Sequence, residues 1–161
     1  MTNDKRFILA LALTCTAYFA HAATPAPSPL GVWRVEDGSA HIHIISCGKT
    51  LWGEISWEKS PGNDAFNPDA AKQKLPTLGL PILRDMKESK DEPTHWDGEI
   101  YNAENGKIYD GFIELTAHDT LHIEGCLLRG IACGGEDWTR VNTKPDKSLT
   151  NAAICKRALA K

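Results

Sequence analysis

From Gly31 onward, apolar and polar residues alternate with a period of two, and that pattern restricts the chain to β-structure. "HIHI" at 41–44 puts Ile42 and Ile44 on one face of a strand and His41 and His43 on the other, and "DTLHIEG" at 119–125 sets Leu121 and Ile123 against His122 and Glu124. Turn-forming stretches end the runs: "EDGS" at 36–39, "SCGKT" at 46–50, Asn105-Gly106 and His118-Asp119. Asn105-Gly106 is the strongest hairpin signal, because both residues tolerate the positive φ of a tight primed turn. The runs predict eight strands, beginning near residues 31, 40, 50, 80, 95, 107, 120 and 133. An all-β chain with eight antiparallel strands can close on itself as an up-and-down barrel with no exposed edge, whose interior holds side chains or one small ligand.

One long excursion, 58–93, interrupts the meander. Within it Asn67-Pro68-Asp69 before "AAKQK" predicts a capped short helix, and "LGLPILRDM" predicts a strand that Pro81 makes irregular. A loop of this length is expected to be structured or to act as a lid over one mouth of the barrel. The tail, 142–161, predicts a short helix over 151–159 capped by Ser148 or Thr150, held against the barrel only if Cys155 ties it there.

The two ends of the expected barrel domain, 31–141, carry a matched pair of motifs. Closure makes the first and last strands neighbours, so "GVW" and "DWTR" should meet, with Trp33 plugging one end under the Arg140 guanidinium and Trp138 on the same final strand. Gly31 would let another backbone pass close to the indole.

Ahead of the domain, Lys5-Arg6, an apolar run from Phe7 to Phe19 and Ala20-His21-Ala22 have the order of a secretory signal, with cleavage expected after Ala22 and an extended proline-rich leader at 23–30. The apolar run is shorter than the ~20 residues of a membrane span. These features predict a periplasmic or secreted location. Net charge is −3, and loss of residues 1–22 makes the chain more acidic, so it lacks the basic stripe that nucleic acid demands. Export removes Cys15 and leaves Cys47, Cys126, Cys133 and Cys155, an even set that suggests two disulfides. "CLLRGIAC" reads as two strand ends joined by a turn, which favours Cys126 with Cys133 and leaves Cys47 for Cys155.

"GVW", "CGKTLWGEISW", "NPDAAKQKLPTLGLPIL", "WDGEIYNAENGKIY", "LHIEGC" and "DWTRV" occur in an order and spacing that resemble a family of small exported bacterial proteins, domain of unknown function 2147. The likeness runs over about 31–141; Trp52 and Ala103 stand where the family pattern has cysteine and proline. The resemblance implies a calycin-like, lipocalin-type barrel in the cell envelope and supplies no activity.

Trp57, Trp96, Tyr101 and Tyr109 are the candidate walls of a cavity for a small apolar or aromatic ligand. His41 and His43 are the candidates for zinc, together with His95, His118 or His122. Two carboxylate pairs, Asp97 with Glu99 and Glu136 with Asp137, read as solvated charge. With no nucleophile elbow, phosphate loop or zinc-protease motif, the chain reads as a non-enzyme without a cofactor. The expected function is binding of a small apolar ligand; the alternatives are an outer surface that engages a protein partner, and a periplasmic zinc-binding protein.

Overall fold

The computed structural model describes residues 27–127, 130–143 and 150–159; the expected signal at 1–22 lies outside them. Eight strands run in chain order around a closed antiparallel barrel. They are β1 (Gly31–Arg34), β2 (Ala40–Cys47), β3 (Thr50–Glu58), β4 (Pro81–Glu88), β5 (His95–Asn102), β6 (Lys107–Ala117), β7 (Thr120–Leu127) and β8 (Ala132–Val141), followed by a helix, α1 (Asn151–Leu159). Alternation dictates the core: Ile42 and Ile44 on β2, Ile113 and Leu115 on β6, and Leu121 and Ile123 on β7 all face inward with Trp33, Trp96 and Trp138.

Closure takes the expected form. Trp33 is the register partner of Arg140 across β1 and β8. The Arg140 guanidinium lies 4.1 Å from the Trp33 ring centroid, and the indole is fully buried. The same guanidinium donates to the carbonyls of Leu30 (2.8 Å), Ser28 (2.7 Å) and His118 (3.1 Å), and Trp33 Nε1 donates to Pro29 O at 2.7 Å. The end of the proline-rich leader is therefore fixed to the barrel from Ser28 onward, because its carbonyls satisfy buried donors that would otherwise be costly. Gly31 acts differently from the expectation. It has φ +122°, and a Cβ there would sit 3.2 Å from Arg140 Nη1, so what passes close is the guanidinium and not a backbone.

Local departures from strict alternation have identifiable causes. On β3 the register against β2 shifts between His41 and Ile42, so that Ile55 faces Ile42 while Trp57 faces His41. Ser56 is the extra residue of this bulge, its hydroxyl donating to His41 O. On β4 Asp85 takes φ 51° beside a second register shift, which lets both Leu83 and Met86 point inward. Pro81 is the first residue of β4, where a missing N–H costs least. The hairpin at 103–106 is a four-residue loop in which only Gly106 is left-handed, not the two-residue primed turn expected from Asn105-Gly106.

The excursion before β4 is turns, not the expected helix. Lys72 N to Asp69 O and Leu75 N to Lys72 O are three-residue steps that never propagate, because the Asn67 and Asp69 side chains bond the amides of Asp69 and Ala71 locally. Helix α1 matches its expected bounds and is capped by the Thr150 hydroxyl. It covers the outer face of β2 and β3, burying Ile154 against Ile45 and Cys47.

Both disulfides form as the sequence suggested, Cys126–Cys133 and Cys47–Cys155. They differ in what they constrain, since the first closes a separation of 7 residues and the second 108. In the chain-entropy account, removing Cys47–Cys155 by Cys→Ser replacement should cost about 4–5 kcal/mol and removing Cys126–Cys133 about 2 kcal/mol; urea unfolding of each pair of variants measures the difference. At the closed end, Arg140→Ala should lower unfolding free energy by about 2–4 kcal/mol. Gly31→Ala should lower it by about 1–2 kcal/mol. Because they disturb the same contact, the double variant should lose less than the two losses combined.

Candidate functional site

Loops at the two ends of the barrel have opposite characters. The end holding Trp33 and Arg140 is closed by the leader and the His118-Asp119 turn. At the other end, where the β1–β2 and β5–β6 loops lie, a cavity of about 830 Å³ opens to solvent. Ile42, Ile55, Ile82, Ile100 and Ile123 wall it, and Trp138 forms part of its inner surface.

The room inside comes from a row of glycines. Across four neighbouring strands Gly98 pairs with Gly111, Gly111 with Gly125, and Gly125 with Gly134. Alternation turns all four toward the interior at one level, so the barrel there carries no side chains of its own. At two of the four, neighbours already fill the place: a Cβ on Gly98 would strike Met86 Sδ at 2.5 Å and Arg84 O at 2.7 Å, and one on Gly111 would strike Glu124 O at 2.3 Å and Ile100 Cδ1 at 2.6 Å. At Gly125 the nearest atom is Tyr109 Cβ at 3.1 Å, and at Gly134 nothing lies within 4 Å. Gly125 and Gly134 therefore line the cavity. The signal lay in the sequence as single glycines inside alternating runs.

Of the four aromatic residues expected to line a cavity, Tyr101 and Tyr109 are among its lining residues and Trp57 and Trp96 are not. Tyr109 faces inward, its hydroxyl accepting from Asn105 Nδ2 at 2.9 Å. Trp96 also faces inward but is packed into the core near the closed end. Trp57 is on the outer surface, 44% exposed, with its ring 4.6 Å from that of His41; the Ser56 bulge turns it outward. Tyr101 faces the outer wall and is buried beneath the excursion, donating to Asp64 Oδ1 at 2.7 Å under the Arg84 guanidinium, 4.4 Å from its ring centroid.

That contact also sets the position of the excursion. Asp64 is itself buried and accepts from Asn67 Nδ2 at 2.6 Å, and the Phe66 carbonyl sits where a Cβ on Gly106 would be. The segment 59–80 leans on the β5–β6 loop and the outer wall, and none of it lines the cavity, so it does not hang over the mouth as a lid. Between it and β4–β5 runs an outer groove of about 1350 Å³ whose lining includes Lys72, Arg84, Asp85, Lys87 and Glu99. Both open to solvent; the groove, although larger, is lined mainly by charged residues, whereas the barrel cavity is walled by isoleucines and Trp138, and the latter has the form of a small-molecule site.

The polar groups of the cavity are few. Glu136 shares the inward face of β8 with Trp138, and its carboxylate accepts a hydrogen bond from the indole Nε1. Asp137, next in sequence, points outward and meets His122 Nδ1 at 2.7 Å, so this carboxylate pair is split between the two faces. Glu36, Asp37 and Glu104 stand at the mouth. Asp37 is held below the ordinary carboxylate range by its hydrogen bonds from Ser39.

His41 and His43 share the outer face of β2. Burial pushes both imidazoles below their usual range, and for His41 the Arg34 charge adds to it. Neither belongs to a cluster of ligating groups; among the described residues the cluster that forms is Glu124 with Cys126 and Cys133, whose sulfurs are bonded to each other. His95, His118 and His122 sit on β5, in the β6–β7 turn and on β7, each against a carboxylate.

A family model described as an uncharacterized protein conserved in bacteria, DUF2147, matches residues 31–140, from the glycine beside Trp33 to the arginine above it. The chain belongs to the DUF2147 family. Among curated proteins none matches. A solved protein from the human pathogen Helicobacter pylori, described as belonging to the lipocalin family, superposes with TM-score 0.68 at 13% identity, over 82% of this chain and 98% of its own. This DUF2147 member is therefore a lipocalin-like barrel. Among its described residues no helix is long and apolar enough to cross a membrane.

The Tyr101–Asp64 contact has a measurable signature. Burial, then the hydrogen bond to Asp64 and its charge, push the Tyr101 phenol up to about 12. An unfolded tyrosine releases its proton near 10, so between pH 10 and 12 the unfolded state binds fewer protons and stability falls as pH rises. Urea unfolding at pH 9 and pH 11 should show this loss, and Tyr101→Phe should flatten it.

Proposed function

We propose that this DUF2147 protein is a non-catalytic binding protein of the cell envelope that takes one small, largely apolar molecule into the open end of its barrel. The observation that carries the reading is the cavity of about 830 Å³ walled by isoleucines above Gly125 and Gly134. Useful ligand sites begin at about 300 Å³, and most of their surface is apolar with a few fixed polar groups. Two disulfides support an oxidising compartment, periplasmic or secreted.

A second reading rests on a separate observation. Phe66, Leu75 and Leu78 in the excursion are 64%, 53% and 40% exposed, which favours an outer surface that meets a protein partner.

Native mass spectrometry of protein exported by its host separates these. Binding in the barrel predicts a co-purifying organic mass, and Gly134→Leu should remove it. Since a side chain at 134 enters open space, the variant should keep its melting temperature within about 2 °C, a shift of at most about 1 kcal/mol for a chain of this size. Absence of any bound mass, with purified apolar compounds also failing to bind, would overturn the reading.

A further inference from the structure

We propose that the ligand of this cavity carries a cationic, ammonium-type group on its apolar body, and that Glu136 receives it. The inference rests on the binding reading above and concerns the polarity of the same site.

Among the described residues, Glu136 is the one acidic side chain carried inward by a strand into the cavity. Its register partner on β7 is Ile123, buried in the core, and its neighbour on the same face is Trp138. The Glu136 side chain is half-buried, and a single neutral donor, Trp138 Nε1, is what the strand gives it. An ammonium N–H in that position forms a charge-assisted hydrogen bond, which is stronger than a neutral one and gains further where water is excluded.

The mouth has the same sign. Glu36, Asp37 and Glu104 stand around it, and among the described residues that line the cavity none is Lys, Arg or His. A field of one sign at an entrance with apolar walls speeds entry of the opposite charge and opposes entry of its own. A fatty acid or other anionic amphiphile would set its carboxylate against Glu136 or the acidic mouth, and among the described lining residues no base offsets that like-charge contact.

The test is isothermal titration calorimetry of the full mature protein with three ten-carbon probes below their aggregation concentrations at pH 7: decylammonium, decanol and decanoate. The proposal expects decylammonium to bind tightest, about tenfold better than decanol, with decanoate weakest. Glu136→Gln keeps an oxygen to accept from the Trp138 indole while removing the charge. It should erase the advantage of decylammonium and leave decanol within about twofold. Equal affinity for all three, or preference for decanoate, overturns the cationic ligand while the apolar cavity stands. Failure of all three to bind overturns the binding reading itself. A decylammonium preference that survives Glu136→Gln removes Glu136 from its assigned role and overturns that part of the proposal.

Discussion

The contact between Arg140 and Trp33 is the constraint on which the barrel depends. A strand meander becomes a barrel only if its first and last members pair, and here that pairing is short, since β1 has four residues. Few ladder hydrogen bonds are available to hold it, so side chains supply the rest: one guanidinium covers the indole and gathers carbonyls from the leader and from the β6–β7 turn. Burial lowers the pKa of Arg140 from its ordinary value, with Asp119 opposing that shift. The partly buried charge is tolerated because each guanidinium nitrogen donates to a carbonyl; a nitrogen left without one would cost more than the stack returns.

Closure at that end permits looseness at the other. Four glycines at one level leave a gap that a packed barrel would fill, and a gap among apolar walls destabilises by forfeiting dispersion contacts. Met86 and Ile100 recover part of it by leaning into the places of the side chains missing at 98 and 111. At 125 an added Cβ would lie 3.1 Å from Tyr109 Cβ, so the space left open is at 134, in the cavity that Glu136 and Trp138 also line. The cost of that space is borne by a framework stapled elsewhere, by a disulfide to α1 and by the excursion, whose buried Asp64 is bonded by Tyr101.

Alternation and turn chemistry made eight strands, their closure, both disulfides and the tail helix legible in the sequence, because each is decided within a few residues or by a matched pair of motifs. What was not legible depends on pairing between strands. Trp57 counts as inward if the alternation from Ile55 continues, and only the extra Ser56, defined by its partner strand, turns it out. Tyr101 reads as an aromatic wall on composition alone; that it lies against the excursion follows from a hydrogen bond to a residue 37 positions earlier. Asn67-Pro68-Asp69 reads as a helix cap until the same side chains are seen closing successive turns.

The glycine row is the strongest case. Gly98, Gly111, Gly125 and Gly134 are each an unremarked residue inside a strand, and a shift of one position in any pairing would scatter them to opposite faces. Register alone aligns them, and the functional space of the molecule is therefore a property of three strand pairings at once. This also explains why a carboxylate stands inside: once β8 is fixed by Gly134 opposite Gly125, the alternation that carries Trp138 inward must carry Glu136 inward with it. The cation proposed above would give that carboxylate a charged partner in addition to the Trp138 indole.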